Sequence, residues 1–297
     1  MTVGSASAEL TEQLLARCRF PGPGIEVVCG VSGGADSTAL AVLAAAAGCV
    51  VRIVHVDHGL RPTDAPRERQ LVEALGHRLH AEVGVVELHL VDGPDLEGRA
   101  REARRRALGS GALLGHTADD LAETMLLHLI RGTGPEGLVA VDTAVRPLLR
   151  LRRAETTALC RELGLEVVDD PHNHDPRLRR ARVRHELLPL LDDVAGRDVV
   201  ALLVRHADLQ RDANAVLADL AAAIDPTSAG ALRDAPPALA RLAVRRWWRE
   251  VTGEAHAPDA AAIERVLEVA SGAHRGADVH GGWRVNRSAG RLELRRG

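Results

Sequence analysis

Glu26-Val27-Val28-Cys29-Gly30-Val31 runs straight into Ser32-Gly33-Gly34-Ala35-Asp36-Ser37, and residues 36–47 that follow are alanine-rich and apolar up to Gly48. An apolar run of strand length, a Gly-Gly turn and a helix in that order leave a concave row of backbone N–H groups at a helix N-terminus. Such a row, helped by the helix dipole, binds phosphate. Ser32, Gly33, Gly34, Ala35 and Ser37 therefore read as phosphate ligands. Asp36 would repel a phosphate, so its expected task is to hold Mg2+ between its carboxylate and the phosphate oxygens. The loop is not a Walker A loop, because no Gly-Lys-Ser/Thr is present. A literal G-x-G-x-x-G does occur at Gly132, Gly134 and Gly137, but it follows a helical segment instead of a strand and is not a dinucleotide fingerprint.

Outward from the loop, strand-like runs alternate with helical ones. Strands are predicted over residues 26–31, 50–56, 83–91 and 112–114, and helices over 36–47, 66–80, 96–108 and 118–131. The pattern predicts an α/β fold, a parallel sheet with helices on both faces. Ligands of such sheets sit beyond the carboxyl ends of the strands. His55, Asp57 and His58 follow the second predicted strand, and His116 follows the fourth, so three strand ends with polar groups face one crevice. His55, Asp57 and His58 lack a third and fourth partner at metal-binding spacing, and adenosine or substrate contact suits them better. Beyond residue 142 the pattern changes: a helix over 153–163, a short strand over 165–168, a polar stretch over 169–175 and a helix over 179–191. Helices over 201–223, 238–251 and 260–271 and a closing hairpin over 283–294 complete the chain. The expected division is a catalytic ATP-binding domain over 1–195 and a smaller, mainly helical C-terminal domain over 196–297.

Composition narrows the chemistry. The 297 residues carry a formal net charge of −3, and aromatic residues make up 1%. All 38 basic residues are arginine, so phosphate must be met by guanidinium groups, backbone N–H or a metal, and no lysine side chain is available as base or nucleophile. Cys18, Cys29, Cys49 and Cys160 are scattered without C-x-x-C, against a zinc, iron–sulfur or disulfide framework. The chain has no apolar run of membrane-spanning length and no signal-peptide pattern, so a cytoplasmic location is expected.

Several segments together resemble one family. The Ser-Gly-Gly-x-Asp-Ser loop after a first strand is similar to that of the PP-loop ATP pyrophosphatases, which split ATP between its α and β phosphates. His55-Val56-Asp57-His58-Gly59-Leu60-Arg61, Gly115-His116-Thr117-Ala118-Asp119-Asp120-Leu121-Ala122-Glu123-Thr124, Arg131-Gly132-Thr133-Gly134, Arg146-Pro147-Leu148-Leu149 and the stretch from Arg182 to Leu191 resemble the tRNA(Ile)-lysidine synthase branch. The matches lie in order across residues 27–191. Departures are His172-Asn173 for Ser-Asn, Arg180-Ala181 for Arg-Asn, and Arg105 for a Tyr.

The resemblance implies two steps: O2 of the wobble cytidine of a CAU-anticodon tRNA(Ile) attacks the α-phosphate of ATP, and the ε-amine of free L-lysine then displaces AMP from C2. It implies ATP and Mg2+ at the loop, catalytic roles for Asp36 and His116, and a phosphate clamp by Arg101 and Arg104, which match an A-R-x-x-R pattern. Asp120, Glu123 and Arg131 fall near one face of a helix, and its acids would hold the lysine amine. Arg241, Arg245, Arg246 and Arg249 beside Trp247-Trp248 would contribute to tRNA contact. The length corresponds to the family's short form, without a second C-terminal domain. Competing readings are a PP-loop tRNA thiolase, which the absence of paired cysteines disfavours, an amidotransferase-type synthetase, which would need a glutaminase segment, and a non-catalytic ATP-binding module.

Overall fold

The computed structural model describes residues 5–57, 59, 65–88, 96–139, 142–168, 175–254 and 257–297, with the side chains of Ser5, Leu96, Glu97 and Arg101 excepted. Of the residues singled out above, His58, Leu60, Arg61, residues 89–91 of the third predicted strand and the polar stretch 169–174 lie outside that description.

The first compact unit spans Met1–Ala207. Its elements are α1 (Ser5–Leu15), β1 (Glu26–Gly30), α2 (Ala35–Ala46), β2 (Val50–Asp57), α3 (Ala65–Leu79), β3 (Glu82–Glu87), α4 (Leu96–Leu108), β4 (Leu113–Leu114), α5 (Ala118–Ile130), α6 (Pro135–Leu138), α7 (Arg153–Glu162), α8 (Arg179–Arg182), a π-helical turn (Val183–Leu187), α9 (Leu188–Ala195) and the start of α10 (Val199–Ala222). The four strands are parallel in the order β3-β2-β1-β4. The chain leaves β1 toward β2 and later returns to its other edge as β4, which makes the end of β1 a topological switch point, the place where such sheets bind ligands.

Alternation along β1 explains why both faces are covered. Val27 and Cys29 share a buried cluster with Ala39, Leu40 and Leu43 of α2, Leu75 of α3 and Leu159 of α7. Gly30 points the other way, where a Cβ would lie 3.0 Å from Leu108 of α4. Alanine, leucine and valine fill this core, as a chain with one phenylalanine requires. The strand predicted over 165–168 does not form. Those residues join no ladder, and the Val168 N–H instead donates to the Gly33 carbonyl at 2.9 Å, so the segment supports the loop and adds nothing to the sheet.

The second unit spans Asp208–Gly297 and takes in the second half of α10. It adds α11 (Ala229–Asp234), α12 (Pro237–Thr252), α13 (Ala260–Ser271) and an antiparallel sheet of β5 (Gly276–Asp278), β6 (Trp283–Ser288) and β7 (Arg291–Arg296). The hairpin expected from residues 283–294 is present and carries a third strand, too short and too rich in Gly and Ala to show a period. Trp247 and Trp248 both pack in this unit's core, so neither is free to stack on a base. Arg246 caps the end of α10 through the Ala221 and Ile224 carbonyls. Among the described residues no helix is long and apolar enough to cross a membrane.

Candidate active site

The loop after β1 is held by its own serines. The Ser32 N–H donates to Ser37 Oγ at 3.1 Å, Ser37 Oγ–H donates to the Gly34 carbonyl at 3.0 Å, and the two hydroxyls lie 3.2 Å apart. Gly33 has φ +87°, a conformation that favours glycine. Gly34 caps α2, and Ala35 and Asp36 open its first turn. Below the loop, Cys160 on α7 lies 3.5 Å from the Ala35 carbonyl, and burial raises its thiol to about 12, so it is a donor and not a nucleophile.

β4 ends where Gly115 passes against this turn. A Cβ on Gly115 would stand 2.6 Å from the Asp36 carbonyl oxygen and 2.9 Å from the Ser37 Cα. Gly115→Ala must therefore push the first turn of α2 aside. We expect about a tenfold loss of ATP affinity in equilibrium binding, from the misplaced N–H row; unchanged affinity would show that the turn yields freely.

Asp36 is gripped from α7. Thr156, fully buried, donates its hydroxyl to Asp36 Oδ1, and Arg153 Nε lies 3.4 Å from Asp36 Oδ2. Burial pushes the Asp36 carboxyl up to about 6, reinforced by Asp120 and opposed by Thr156 and Arg153. The same Arg153 reaches across to α5: its Nη2 donates to Asp120 Oδ1 at 3.0 Å and to Glu123 Oε1 at 3.2 Å. Arg180 Nε and Arg184 Nε each donate to Glu123 at 2.7 Å, and Arg180 Nη2 also reaches Asp120 Oδ1 at 3.3 Å. The π-helical turn sits where Arg184 must join Arg180 on Glu123, a use of one surplus residue common at functional sites. Asp120 also accepts from the Thr117 N–H at 2.8 Å. Burial opposes its ionisation, but Arg153 and Arg180 outweigh burial and hold its carboxyl below the usual range. Asp119 faces away from this group, bound by Arg152 Nη2 and the Arg153 N–H at 3.0 and 2.8 Å, and ties α5 to the start of α7.

His116 stands beside the cluster. Burial draws its imidazole down to about 4, with Asp120 opposing and Arg146, Arg180 and Arg104 assisting. Arg146 Nε donates to His116 Nδ1 at 3.3 Å, so the neutral ring carries its proton on Nε2 and offers an N–H donor. Arg104 of α4 thus lies within the electrostatic reach of His116. Arg101 precedes it on the same helix.

The remaining expected residues sit differently. His55 is 1% exposed; its Nδ1 lies 2.9 Å from the Val31 carbonyl, and its Nε2 has no partner. It lies beneath the loop, holding the last carbonyl before Ser32, instead of lining an open crevice. Asp57 Oδ1 accepts from the Gly59 N–H at 2.8 Å and shapes the turn after β2. Glu123, expected to face a substrate amine, is fully buried and saturated by three guanidinium groups. Arg131 is exposed at the far end of α5, about 16 Å along the axis from Asp120 at 1.5 Å per residue, and does not join the acids. Sequence reasoning missed Arg153, Thr156 and Arg180 as site residues. Arg153 and Thr156 are an i, i+3 pair in the first turn of α7, and only their meeting with Asp36, across 117 and 120 positions, reveals them.

This site, a glycine-rich cradle at a switch point facing an acid–guanidinium cluster, is that of a PP-loop ATP-binding enzyme, and a family model described as a PP-loop domain matches residues 8–191. A second, the TilS substrate binding domain, matches residues 228–293. Among curated relatives, tRNA(Ile)-lysidine synthases of Nocardia farcinica, Cutibacterium acnes and Salinispora tropica are 42%, 38% and 39% identical to this chain. The alignments cover 77%, 91% and 93% of this chain and 77%, 91% and 92% of theirs. The chain belongs to the tRNA(Ile)-lysidine synthase family. A U34-tRNA thiolase from Methanococcus maripaludis shares the fold, with a TM-score of 0.54 at 18% identity over 69% of this chain and 78% of that one.

Proposed function

We propose that this enzyme joins free L-lysine to C2 of the wobble cytidine in the CAU anticodon of tRNA(Ile), in the cytoplasm. ATP-dependent lysidine formation on tRNA is the family's reaction, and ATP is the co-substrate of the loop. The observation that carries the residue-level reading is the convergence of Asp36, Asp120 and His116 from three elements beside that loop.

In the first step cytidine O2 attacks the α-phosphorus of ATP, the α–β bridging P–O bond breaks and pyrophosphate leaves. The N–H row from Gly33 to Ser37 holds the leaving pyrophosphate, while the Ser32 N–H braces the loop through Ser37 Oγ. The neutral His116 donates Nε2–H to a phosphate oxygen, and Arg104 of α4 adds positive charge beside it; the family resemblance gives Arg101 the same task. In the second step the lysine ε-amine attacks C2, sheds a proton, and AMP departs. Asp120, 15% exposed, receives the ammonium before it is deprotonated, while Glu123 positions the arginines around it. Asp36, 24% exposed beside the loop, is the carboxylate that would hold a Mg2+. When bound, that ion would neutralise the pyrophosphate. Residues 1–195 would carry the chemistry, and 196–297 would grip the tRNA through exposed arginines such as Arg241 and Arg249.

The direct test is incubation of the protein with ATP, radiolabelled lysine and a CAU-anticodon tRNA(Ile). Lysine enters the tRNA only with ATP, releasing AMP and pyrophosphate; folded protein that incorporates none refutes the assignment. The pH profile is a second check. Asp36 must be ionised, so kcat/KM should fall as pH drops through about 6. His116 stays neutral until about 4, so His116→Asn should lower the rate about tenfold by loss of one donor yet keep the same acid limb. A limb that moves with the His116 substitution would give the titration to the wrong residue.

A further inference from the structure

Charge in the cluster balances to zero. Three carboxyl groups (Asp36, Asp120, Glu123) meet three guanidinium groups (Arg153, Arg180, Arg184) at 2.7 to 3.4 Å, and of these three Arg153 alone touches all three acids. Arg180 and Arg184 are anchored on the fully buried Glu123 at 2.7 Å. The contacts of Arg153 are longer, 3.0 to 3.4 Å, and its 26% exposure falls between the 18% of Arg184 and the 35% of Arg180. It lies between the two acids that are themselves partly exposed, Asp36 at 24% and Asp120 at 15%. A substrate ammonium arriving at Asp120 would make this partly dehydrated group net positive and would meet Arg153 already there, a like-charge contact that is costly where water is scarce.

We infer that Arg153 is an electrostatic interlock that bars the lysine amine until the nucleotide is bound. Negative charge delivered to the Ser32 loop, next to Asp36, draws the Arg153 guanidinium toward the phosphates and leaves Asp120 with the longer Arg180 contact at 3.3 Å, opening its Oδ1 to the ammonium. Binding is thereby ordered: ATP first, lysine second. Because the coupling is an equilibrium property it is reciprocal, and lysine tightens the nucleotide by the same factor. The inference rests on the assignment of the amine to Asp120.

The test measures radiolabelled lysine binding to the full chain at equilibrium, with and without α,β-methylene-ATP, which cannot release pyrophosphate. The native protein should bind lysine about tenfold more tightly with the analogue present, within the usual range of coupling between sites. Arg153→Met, which keeps the apolar stem and removes the charge, should bind lysine without nucleotide about as tightly as the native protein does with it. Arg153→Lys, which retains a charge, should keep most of the nucleotide dependence and guards against a folding defect in the first variant. A merely structural role for Arg153 would weaken lysine binding in both states. Native binding indifferent to the analogue, or full dependence retained in Arg153→Met, overturns the interlock while Asp120→Asn still abolishes binding. If Asp120→Asn binds lysine normally in every condition, the amine site itself is misassigned and the interlock falls with it.

Discussion

Asp36→Asn should reduce pyrophosphate release by about a hundredfold or more, the scale set by loss of one charge-stabilising group, while leaving the fold more stable at neutral pH. The first half follows from position: Asp36 stands in the first turn of the loop helix, and asparagine cannot carry its charge. The second half follows from sign. The folded carboxyl titrates near 6, above the ordinary value of 3.8, so ionisation is disfavoured in the folded state. Folded protein therefore binds more protons than unfolded protein between about pH 4 and 6, and the stability tied to this group is lost as pH rises through that window. Above it, the native protein carries the full penalty and the asparagine variant none. The Thr156 hydroxyl bond survives in the variant, because the amide oxygen also accepts. The expected gain is about 1 kcal/mol at pH 7.5, discounted from the full shift because the group is partly exposed, and it should vanish at pH 4. Urea melts at the two pH values together with a pyrophosphate assay decide the matter. Normal turnover would remove Asp36 from the chemistry, and a loss of stability at pH 7.5 would show that its ionised form is better paired than the geometry indicates.

Glu123→Ala carries the largest expected cost to the fold. Glu123 is wholly buried and each of its oxygens accepts from arginine, so deleting it strands three guanidinium groups with too little negative charge. Removing one partner of a buried ion pair typically costs about 3–5 kcal/mol, more than the pair is worth against an apolar replacement. For a unit of this size that corresponds to a melting temperature lower by roughly 6–20 °C. Glu123→Gln keeps the shape and one acceptor and should fall between. Calorimetry on the three proteins checks the order. A shift of less than about 2 °C in the alanine variant would mean that water compensates the arginines, and the site would be wetter than its burial implies.

What could be read from the chain alone divides along sequence distance. The loop, the parallel sheet and the strand-end His116 follow from local patterns: apolar runs of strand length, glycine pairs, and helices that start where caps allow. Each of these signals lies within about one element. The acid–guanidinium cluster does not work that way. Arg153 is 117 positions from Asp36 and 33 from Asp120, and nothing in its own neighbourhood sets it apart from the other arginines of an arginine-only chain. The same bias hid which acids were free. Spacing put Asp120 and Glu123 on one helix face, but only the arrival of Arg180 and Arg184 from a later segment shows that Glu123 is saturated. Arg184 was further obscured by the π-helical turn, because a regular 3.6-residue period places side chains beyond such a turn on the wrong side. Adjacent Trp247 and Trp248 point in different directions on a helix, which requires only one of them in the core; the unit's core takes both.

The described cations that line the cluster are all guanidinium groups, and no lysine occurs anywhere in the chain. An activated cytidine is an electrophile that will react with any unprotonated amine within reach. A guanidinium group, charged at every physiological pH, is a poor nucleophile. The cations of the site therefore offer no side-chain amine to the intermediate. Self-labelling through a lysine of the enzyme, a hazard for any catalyst that holds an activated ester while waiting for an amine, is closed off by composition, and no resident lysine competes with the free one.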